Sequence, residues 1–380
     1  MRFGCCGSLV AQNPDKTGVE IVEKIAQYGY DYIELPLAEM MELSDADFAA
    51  LCKRVERSGI RVFTQLARQT PGCMALTLGE PDFDTAPAIR AAAKAALDQG
   101  DTHYPENNGR PWLKEAIVDF ERRRNGLSYC PDEVIVTSGA TEGIFTALFA
   151  ILNPGDEVII PTPAFGLYEY IVQMCRAVPV KVPTERTGFQ LTAEALQAAL
   201  TPRTKALILT SPNNPTGRVY SQATLEGLRQ VLRDKPVFVL CDEVYRQLCY
   251  DGPCPAFSAF PELRDRIVVL QSFSKPYAMP GWRLGYCMAD APIRDRMQIF
   301  HQYSVVSVSA FTQQSCVEAL QYDNSREKET FRRRRDYVWG RLQAMGLEVE
   351  KPEGAFYLFP SIEKYGIPSG EFCTRMIQEA

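Results

Sequence analysis

The sequence predicts an α/β protein with a mainly parallel sheet that is covered by helices on both faces. Short apolar runs recur over some 300 residues and alternate with helical patterns; the runs are EVIVT, DEVIIPTP, TKALILTS, VFVLCDEVY, RIVVLQSFS and WRLGYCMA. Such alternation is typical of parallel strands that are buried on both faces. Near Pro292 the alternation gives way to long helices and then to GLEVEKP and GAFYLFP, which predict strands of a smaller α+β domain.

Composition excludes several classes of protein. The 380 residues are 46% hydrophobic and 23% charged, as in ordinary globular proteins of two or three domains. No apolar run approaches the roughly 18 residues of a membrane span, and no secretory signal is evident. The net charge of -6 argues against nucleic-acid binding. Twelve scattered cysteines indicate reduced thiols and a cytoplasmic location, and two histidines are too few for a multi-histidine metal site.

The first sixty residues form a separate βαβα pattern. RFGCC, DYIELPL and IRVF are predicted strands, and the two stretches between them have helical spacing. This segment resembles the start of a sugar-phosphate isomerase/epimerase of the TIM-barrel type, of which it covers about two of eight βα units. We favour an appended fragment over an isomerase, and we expect the junction within residues 58–64.

One lysine is a candidate for covalent chemistry. Lys275 follows the apolar run RIVVLQ and stands eight residues before Arg283. The carboxyl end of a parallel strand is where α/β sheets place their active sites. Burial would lower the pKa of this lysine and make its neutral amine available for a Schiff base, although a lone lysine is more often a solvated surface residue.

Other polar residues follow neighbouring strands. Asp242 ends the apolar run VFVLC, Tyr245 comes three residues later, and Asn214 lies in the turn-rich loop SPNNPTG. A carboxylate directly after an apolar strand requires a strong reason to be there. Gly139 joins the strand EVIVT to a helix whose N-terminal N–H groups could bind an anion.

Together these segments resemble the class I/II aminotransferases, which are pyridoxal phosphate (PLP) enzymes of fold type I. The resemblance runs from about residue 58 to residue 380, and its motifs stand in the family's order: LTLGEPDFDT, YPENNGRPWLKEAI, SGATEGI, NPGDEVIIPTPAF, SPNNPTG, DEVY, SFSKPYAMPGWRLGY, HQY and PEGAFYLF. It implies a seven-stranded, mainly parallel sheet with a smaller α+β domain. It also implies a PLP cofactor and ping-pong exchange of an amino group between an L-amino acid and a 2-oxo acid.

The resemblance assigns roles to individual residues. Lys275 would hold the cofactor as a Schiff base and move the substrate proton, while Asp242 would keep the pyridine nitrogen protonated. Tyr245 and Asn214 would bind the phenolic oxygen, and Phe165 would stack on the ring. The phosphate would be bound by a set of small residues and one arginine: Gly139, Ala140, Thr141, Ser272, Ser274 and Arg283.

The resemblance also implies a contact with a second subunit and a substrate pocket. Tyr104 would reach the phosphate of a neighbouring subunit, which implies a homodimer, and Gly79 with Asn214 would line the substrate pocket. The predicted domains are a barrel-like fragment at 1–60, a large PLP-binding domain at 61–290, and an incomplete small domain at 291–380. Residues 61–80 are expected to contribute to the small domain.

The final helix, which begins at Ser369, has no capping residue before Ala380, so the sequence predicts a truncated chain. In the family the arginine that binds the substrate carboxylate lies in the segment after this helix, and Arg375 cannot be assumed to replace it. We therefore expect PLP binding with poor catalysis.

Several alternatives stay open at this point. Motif details favour aromatic, aspartate-like or acylated diaminopimelate substrates without choosing among them. A PLP-dependent carbon–sulfur lyase shares the fold, and a catalytically defective fusion fragment is a further possibility. Two features are interpreted as ordinary: Arg332–Arg335 as a solvated helix face, and both histidines, His103 and His301, as polar residues near the pocket.

Overall fold

The computed structural model describes residues 4–6, 32–34, 62–74, 76 and 79–379. It divides into two compact units, Met1–Gly79 with Ile362–Ala380, and Glu80–Ser361. The first unit contains two short parallel strands, β1 (Gly4–Cys6) and β2 (Tyr32–Glu34). The predicted domain boundaries remain predictions, and most of the predicted barrel-like fragment lies outside the described residues.

The second unit contains a seven-stranded sheet. Its strands are β3 (Val134–Thr137), β4 (Glu157–Thr162), β5 (Val178–Pro183), β6 (Thr204–Thr210), β7 (Phe238–Asp242), β8 (Ile267–Ser272) and β9 (Gly285–Ala289). They are arranged in the order β3-β9-β8-β7-β6-β4-β5; β9 runs antiparallel to β3 and to β8, and all the other pairs are parallel. The predicted fold class is confirmed.

The described helices carry the remaining regular structure: α1 (Val62–Gln69), α2 (Pro87–Asp98), α3 (Pro111–Asn125), α4 (Gly139–Ile151), α5 (Leu167–Met174), α6 (Ala193–Ala199), α7 (Gln222–Leu232), α8 (Ala291–Ser304), α9 (Ala310–Gln321), α10 (Ser325–Ala344) and α11 (Ser369–Glu379). The predicted run of long helices after Pro292 and the predicted helix from Ser369 are confirmed. Within the described ranges, none of these helices has the length and apolar character that a membrane crossing requires.

The core lies on both faces of the sheet because successive side chains of a strand point to opposite sides. Val239 and Val269 belong to one apolar cluster, while Leu240 and Val268 belong to the other. All six residues of β8 are buried. Double burial explains why the strands are continuous apolar runs in the sequence, without alternation of polar and apolar residues.

The carboxyl ends of the parallel strands meet at one edge of this sheet. β6 ends at Thr210, β7 at Asp242 and β8 at Ser272, and Thr210 pairs in register with Asp242. The antiparallel strand β9 begins at the same edge, where Gly285 pairs with Ser272. The topology therefore brings the predicted polar residues to a single edge.

Two predictions of local structure were wrong. IRVF was expected to be a strand, but Val62 and Phe63 begin α1, which packs against α11. A four-residue apolar run does not distinguish a strand from a helix turn, and Leu66 and Ala67 continue the apolar face. GLEVEKP and GAFYLFP contain only isolated bridges, Val349 to Pro360 and Cys249 to Gly354.

Candidate active site

A buried carboxylate lies at the centre of the edge where the parallel strands end. Asp242 is 4% exposed, and its Oδ2 accepts a hydrogen bond of 2.6 Å from the Tyr168 hydroxyl. The Val244 N–H donates to Oδ1 at 3.3 Å. Burial raises the pKa of Asp242 to about 6, against these two hydrogen bonds, which lower it. The carboxylate is therefore fixed in direction, and its ionised form is favoured about tenfold at pH 7.

Tyr168 holds this carboxylate and was not predicted from the sequence. The residue is 1% exposed in α5, and its hydroxyl also lies 2.8 Å from Thr210 Oγ1 at the end of β6. A buried tyrosine hydroxyl needs a polar partner, so a tyrosine in an apolar helix near the sheet edge was an available signal. Phe165 packs edge-on against the Tyr168 ring with centroids 5.8 Å apart, and 39% of Phe165 is exposed.

Lys275 follows β8 by three residues and is half-buried. Burial lowers the pKa of its ammonium; the Glu80 carboxylate opposes this shift, and the positive charge of Arg283 adds to it. Its Nζ lies 5.8 Å from the centroid of the Phe356 ring. A lysine in this setting gives a neutral amine more readily than a solvated one.

A cradle for an anion forms where α4 begins. Gly139 has φ of +76°, and a Cβ atom there would collide with the Arg283 guanidinium. A Cβ on Gly285 would lie 2.9 Å from the Ala140 nitrogen, so β9 begins directly against the same helix terminus. The helix N–H groups and the guanidinium both attract negative charge. Burial lowers the pKa of Arg283, whose Nη1 donates to the Pro280 carbonyl at 2.9 Å.

Two serines from the end of β8 complete the arrangement. The Ser274 N–H donates to Ser272 Oγ at 3.0 Å, and both residues are buried. Ser272 also stands in register with Gly285. The backbone thus brings two small hydroxyl side chains to the strand end at which Arg283 and Gly139 meet.

His301 has a more definite place than the sequence suggested. The ring is fully buried; Nε2 lies 2.8 Å from the Asn107 carbonyl, and Nδ1 lies 3.2 Å from Glu142 Oε1. Glu142 in turn accepts a 3.0 Å hydrogen bond from the Ser138 N–H, directly before the cradle. His301 therefore braces α4, whereas His103 is exposed.

Tyr245 and Asn214 come from two loops at the same edge. Tyr245 is 3% exposed and its hydroxyl hydrogen-bonds with the Tyr357 hydroxyl. Burial raises the pKa of Tyr245 well above its ordinary value. Asn214 is half-buried in the loop after β6, whose turn is closed by a 3.1 Å bond from the Thr216 N–H to Asn213 Oδ1. Phe356 and Tyr357 were not identified from the sequence because their role depends on contacts between distant segments.

The structure also describes other residues that the sequence singled out. Tyr104 is 86% exposed, and Gly79 belongs to the other compact unit. The solvated-face interpretation of Arg332–Arg335 was wrong for Arg335, which is 4% exposed and donates to Asp251 at 2.9 Å and to the Pro352 carbonyl at 2.8 Å. Arg375 forms a 3.1 Å ion pair with Glu379 on α11.

The described side chains fit a flat, anionic cofactor that carries a basic ring nitrogen. A buried acid suits a protonated nitrogen, a helix terminus with an arginine suits a phosphate, and a lysine of lowered pKa suits a carbonyl group. Gly139 and Gly285 keep the helix terminus and the arginine close together. The fold and the site thus define an α/β enzyme built around a phosphorylated carbonyl cofactor.

The comparisons with known proteins agree with this class. The model of the family "Aminotransferase class I and II" matches residues 71–380, so the chain belongs to this family. It is 40% identical over 332 residues to a probable N-acetyl-LL-diaminopimelate aminotransferase of Bacillus subtilis, covering 86% of this chain and 84% of that one.

Solved structures show the same likeness. An aromatic aminotransferase from Pyrococcus horikoshii is 37% identical with a TM-score of 0.79, over 83% of this chain and 87% of that one. An aspartate aminotransferase from Thermus thermophilus with maleate is 35% identical with a TM-score of 0.75, over 85% and 83%. The chain is therefore a PLP-dependent transaminase. The family model begins at residue 71, so the isomerase-like resemblance of residues 1–60 stays a prediction.

Proposed function

We propose that the protein exchanges an amino group between an L-amino acid and a 2-oxo acid by a ping-pong mechanism. The observation that carries this proposal is the meeting, at one sheet edge, of buried Asp242 and of Lys275 with its lowered pKa. These are the acid and the amine that PLP chemistry needs. When bound, PLP supplies an electron-withdrawing ring that makes the hydrogen on the substrate's Cα acidic.

Lys275 and Asp242 have complementary roles in this proposal. Nζ of Lys275 would hold the cofactor covalently, and the same amine would take the proton from the substrate's Cα. Asp242 would stabilise a proton on the pyridine nitrogen, with its carboxylate oriented by Tyr168 and by the Val244 N–H. Because Asp242 is buried, its charge acts through a medium of low polarity and is worth more than in water.

Binding of the cofactor's outer groups falls to the surrounding loops. The start of α4 (Gly139, Ala140 and Thr141) would bind the phosphate, together with Ser272, Ser274 and Arg283. Tyr245 and Asn214 would donate to the phenolic oxygen, and Phe165 would cover one ring face. These assignments are supported by the burial of Tyr245 and by the close approach of Arg283 to Gly139.

The substrate is proposed at the level of three candidate classes: aromatic amino acids, aspartate, and N-acetyl-LL-diaminopimelate. Each is a class that the name of a similar protein carries, and Gly79 with Asn214 would line the pocket. We further propose a cytoplasmic homodimer, in which Tyr104 reaches the partner subunit's phosphate. The 86% exposure of Tyr104 supports this role, and the scattered spacing of the twelve cysteines suits a reducing compartment.

Borohydride trapping tests the covalent assignment. The PLP-loaded protein is reduced and digested, and the cofactor-bearing peptide is identified by mass spectrometry. The label is expected on Lys275 and is expected to be lost in Lys275→Ala. Lys114→Ala is the matched control, because Lys114 is a buried lysine whose amine lies 3.9 Å from Asp132. Label on any lysine other than Lys275 would refute the assignment.

Single-turnover spectra test the reaction and its substrate. Each of L-phenylalanine, L-aspartate and N-acetyl-LL-diaminopimelate is mixed with the PLP-loaded protein, and conversion to the pyridoxamine form is followed. One donor is expected to convert at least tenfold faster than the others, and parallel lines in two-substrate kinetics are expected for ping-pong exchange. Release of a thiol, pyruvate and ammonia from cysteine S-conjugates, without conversion by any of the three donors, would instead identify a carbon–sulfur lyase.

A further inference from the structure

A short stretch of chain, here named the PEGAFY segment (residues 352–357), contacts both loops that carry Tyr245 and Asn214. The N–H groups of Glu353 and Gly354 donate to the Gly217 carbonyl at 2.8 and 3.0 Å. On the other side, the Tyr250 N–H donates to the Glu353 carbonyl at 2.9 Å. The PEGAFY segment thus links the end of the Asn214 loop to the chain that follows Tyr245.

The packing around this link is tight. A Cβ on Gly217 would lie 2.6 Å from Pro352 Cβ and 3.0 Å from the Tyr357 carbonyl oxygen, so no larger residue fits there without a shift. The Tyr250 hydroxyl donates to the Ala355 carbonyl, and the Arg335 guanidinium donates to the Pro352 carbonyl at 2.8 Å. Carbonyls on both sides of Glu353 are therefore held by side chains from distant parts of the sequence.

This anchoring places the side chains of Phe356 and Tyr357 next to Tyr245, and that of Phe356 near Lys275 as well. The Tyr357 hydroxyl meets the Tyr245 hydroxyl, and the two rings pack edge-on with centroids 5.5 Å apart. The Phe356 ring lies 5.6 Å from the Tyr245 ring and 5.8 Å from Lys275 Nζ. The contact between hydroxyls is not a by-product of strand pairing, since Tyr357 belongs to no strand.

Each tyrosine hydroxyl has one proton to donate, and this decides which of Tyr245 and Tyr357 is the donor when PLP is bound. A phenol carries one proton and can accept further hydrogen bonds on its oxygen. If Tyr245 gives its proton to the cofactor, its contact with Tyr357 requires Tyr357 to be the donor. The other ionisable groups that influence Tyr245 are Asp242 and Tyr168, and the Tyr168 hydroxyl is already directed at Asp242.

We propose that Tyr357 is a positioning residue that donates its hydroxyl hydrogen bond to Tyr245 and so directs the Tyr245 proton at the cofactor's phenolic oxygen. The proposal rests on the proposed role of Tyr245. Accepting a hydrogen bond makes a phenol a stronger donor, because chains of hydrogen bonds polarise one another. Tyr357 thus acts on the cofactor through Tyr245 without contacting the substrate.

A spectroscopic double-mutant cycle tests this inference. PLP-loaded wild type, Tyr357→Phe, Tyr245→Phe and the double variant are titrated with acid and base in the absence of substrate. The visible absorption reports protonation of the nitrogen that joins Lys275 to the cofactor. A donor to the phenolic oxygen favours loss of that proton, so removal of the donor raises the titration midpoint. Tyr357→Phe is expected to raise it by roughly 0.5 pH unit, about the worth of one neutral hydrogen bond.

Non-additivity is the decisive outcome. The double variant is expected to titrate like Tyr245→Phe alone, because Tyr357 has no route to the cofactor once the Tyr245 hydroxyl is gone. Tyr129→Phe is the matched control, since its hydroxyl is buried and has no hydrogen-bond partner among the described residues; it should leave the midpoint unchanged. An unchanged midpoint in Tyr357→Phe, or additive shifts in the double variant, would overturn the inference. An unchanged midpoint in Tyr245→Phe would instead refute the proposed role of Tyr245.

Discussion

Two sides of the candidate site are held in place by different means. The sheet side is defined as Tyr168, Thr210, Asp242 and Ser272. Thr210, Asp242 and Ser272 end strands that pair in register, and Tyr168 hydrogen-bonds to Asp242 from α5. The loop side, defined as Asn214, Tyr245 and the PEGAFY segment, rests on hydrogen bonds between loops that meet only in the folded chain. Backbone hydrogen bonds between paired strands hold the sheet side. Side-chain contacts and hydrogen bonds to a few backbone carbonyls hold the loop side.

The two sides would bind different groups of the cofactor. The sheet side would hold the pyridine nitrogen and part of the phosphate, whose positions should not change during turnover. The loop side would bind the phenolic oxygen, next to the amine that exchanges between lysine and substrate. A loop can open locally without disturbing a strand. We therefore expect substitutions on the loop side to change local opening and to leave the strands unaffected.

The largest effect is expected at the centre of the sheet side. Asp242→Asn keeps the size of the side chain but removes the charge that would hold the pyridine proton. Loss of a charge-assisted interaction in a dry site costs several kcal/mol, so proton abstraction should slow on the order of a thousandfold. Single-turnover conversion of a bound amino acid measures this rate. PLP should still be trapped on Lys275, and wild-type conversion by Asp242→Asn would show that another group does this work.

The next effect tests the junction of the sheet with the cradle. A Cβ on Gly285 would lie 2.7 Å from the Gln271 carbonyl and 2.9 Å from the Ala140 nitrogen, both backbone atoms that cannot rotate away. Gly285→Ala should therefore lower the free energy of unfolding by about 2 kcal/mol and weaken PLP binding. Gly281→Ala is the matched control, because its Cβ would meet open space. Urea unfolding with and without PLP measures both effects, and equal behaviour of the two variants would contradict the packing argument.

A smaller effect, a shift in the pH dependence of PLP affinity, is expected from Tyr168→Phe. Because burial raises the pKa of Asp242 from 3.8 to about 6, the folded apoprotein holds this proton more tightly than the unfolded chain does. Stability from this group is present below pH 3.8 and is lost as pH rises through about 6, whereas pairing with a pyridinium needs the ionised form above that pH. PLP affinity should therefore fall as the pH drops below about 6.

Removal of the Tyr168 hydroxyl takes away a hydrogen bond that lowers the pKa of Asp242. The inflection in PLP affinity should then move upward by about one pH unit, which corresponds to roughly 1.5 kcal/mol for a bond to a charged group. Fluorescence titration of the apoprotein with PLP across pH 5 to 8 checks the shift. An inflection that stays in place, or moves downward, would mean that Tyr168 does not stabilise the carboxylate.

Apolar patterning predicted the polar residues that directly follow buried strands. Asp242 and Lys275 were found because each follows an apolar run, and strands buried on both faces leave that signal in the sequence. Tyr168 was missed because a tyrosine in an apolar helix signals only that its hydroxyl needs a polar partner, and that partner, Asp242, lies 74 residues away in the sequence. Sequence spacing says where a strand ends, but it does not say which distant side chains meet there.

On the loop side, the sequence motifs identified Asn214 and Tyr245, but the contacts of the PEGAFY segment with their loops were not predicted. The GAFYLFP run was expected to form a strand, because its apolar and aromatic residues favour one. Instead, the Gly354 N–H donates to the Gly217 carbonyl, and the Ala355 carbonyl accepts a hydrogen bond from the Tyr250 hydroxyl. Just before the run, the Pro352 carbonyl accepts a hydrogen bond from Arg335. Arg335 was placed on a solvated face for a similar reason, since a run of four arginines gives no indication that one of them is buried.

The smallest effect should be confined to the loop side. Tyr250→Phe removes the hydroxyl that donates to the Ala355 carbonyl and leaves the ring, over which the Arg335 guanidinium lies at 4.8 Å. One neutral hydrogen bond contributes about 1 kcal/mol, so local opening of the PEGAFY segment should become about fivefold more frequent. The Glu353 and Gly354 amides, which donate to the Gly217 carbonyl, report this opening. Hydrogen exchange of these two amides should speed up about fivefold, while the buried amides of β7 exchange as in the wild type. Tyr337→Phe is the control, because that ring is 70% exposed on α10. Faster exchange in β7 as well would show that both sides open as one unit, and the distinction between a ladder-held side and a loop-held side would then be wrong.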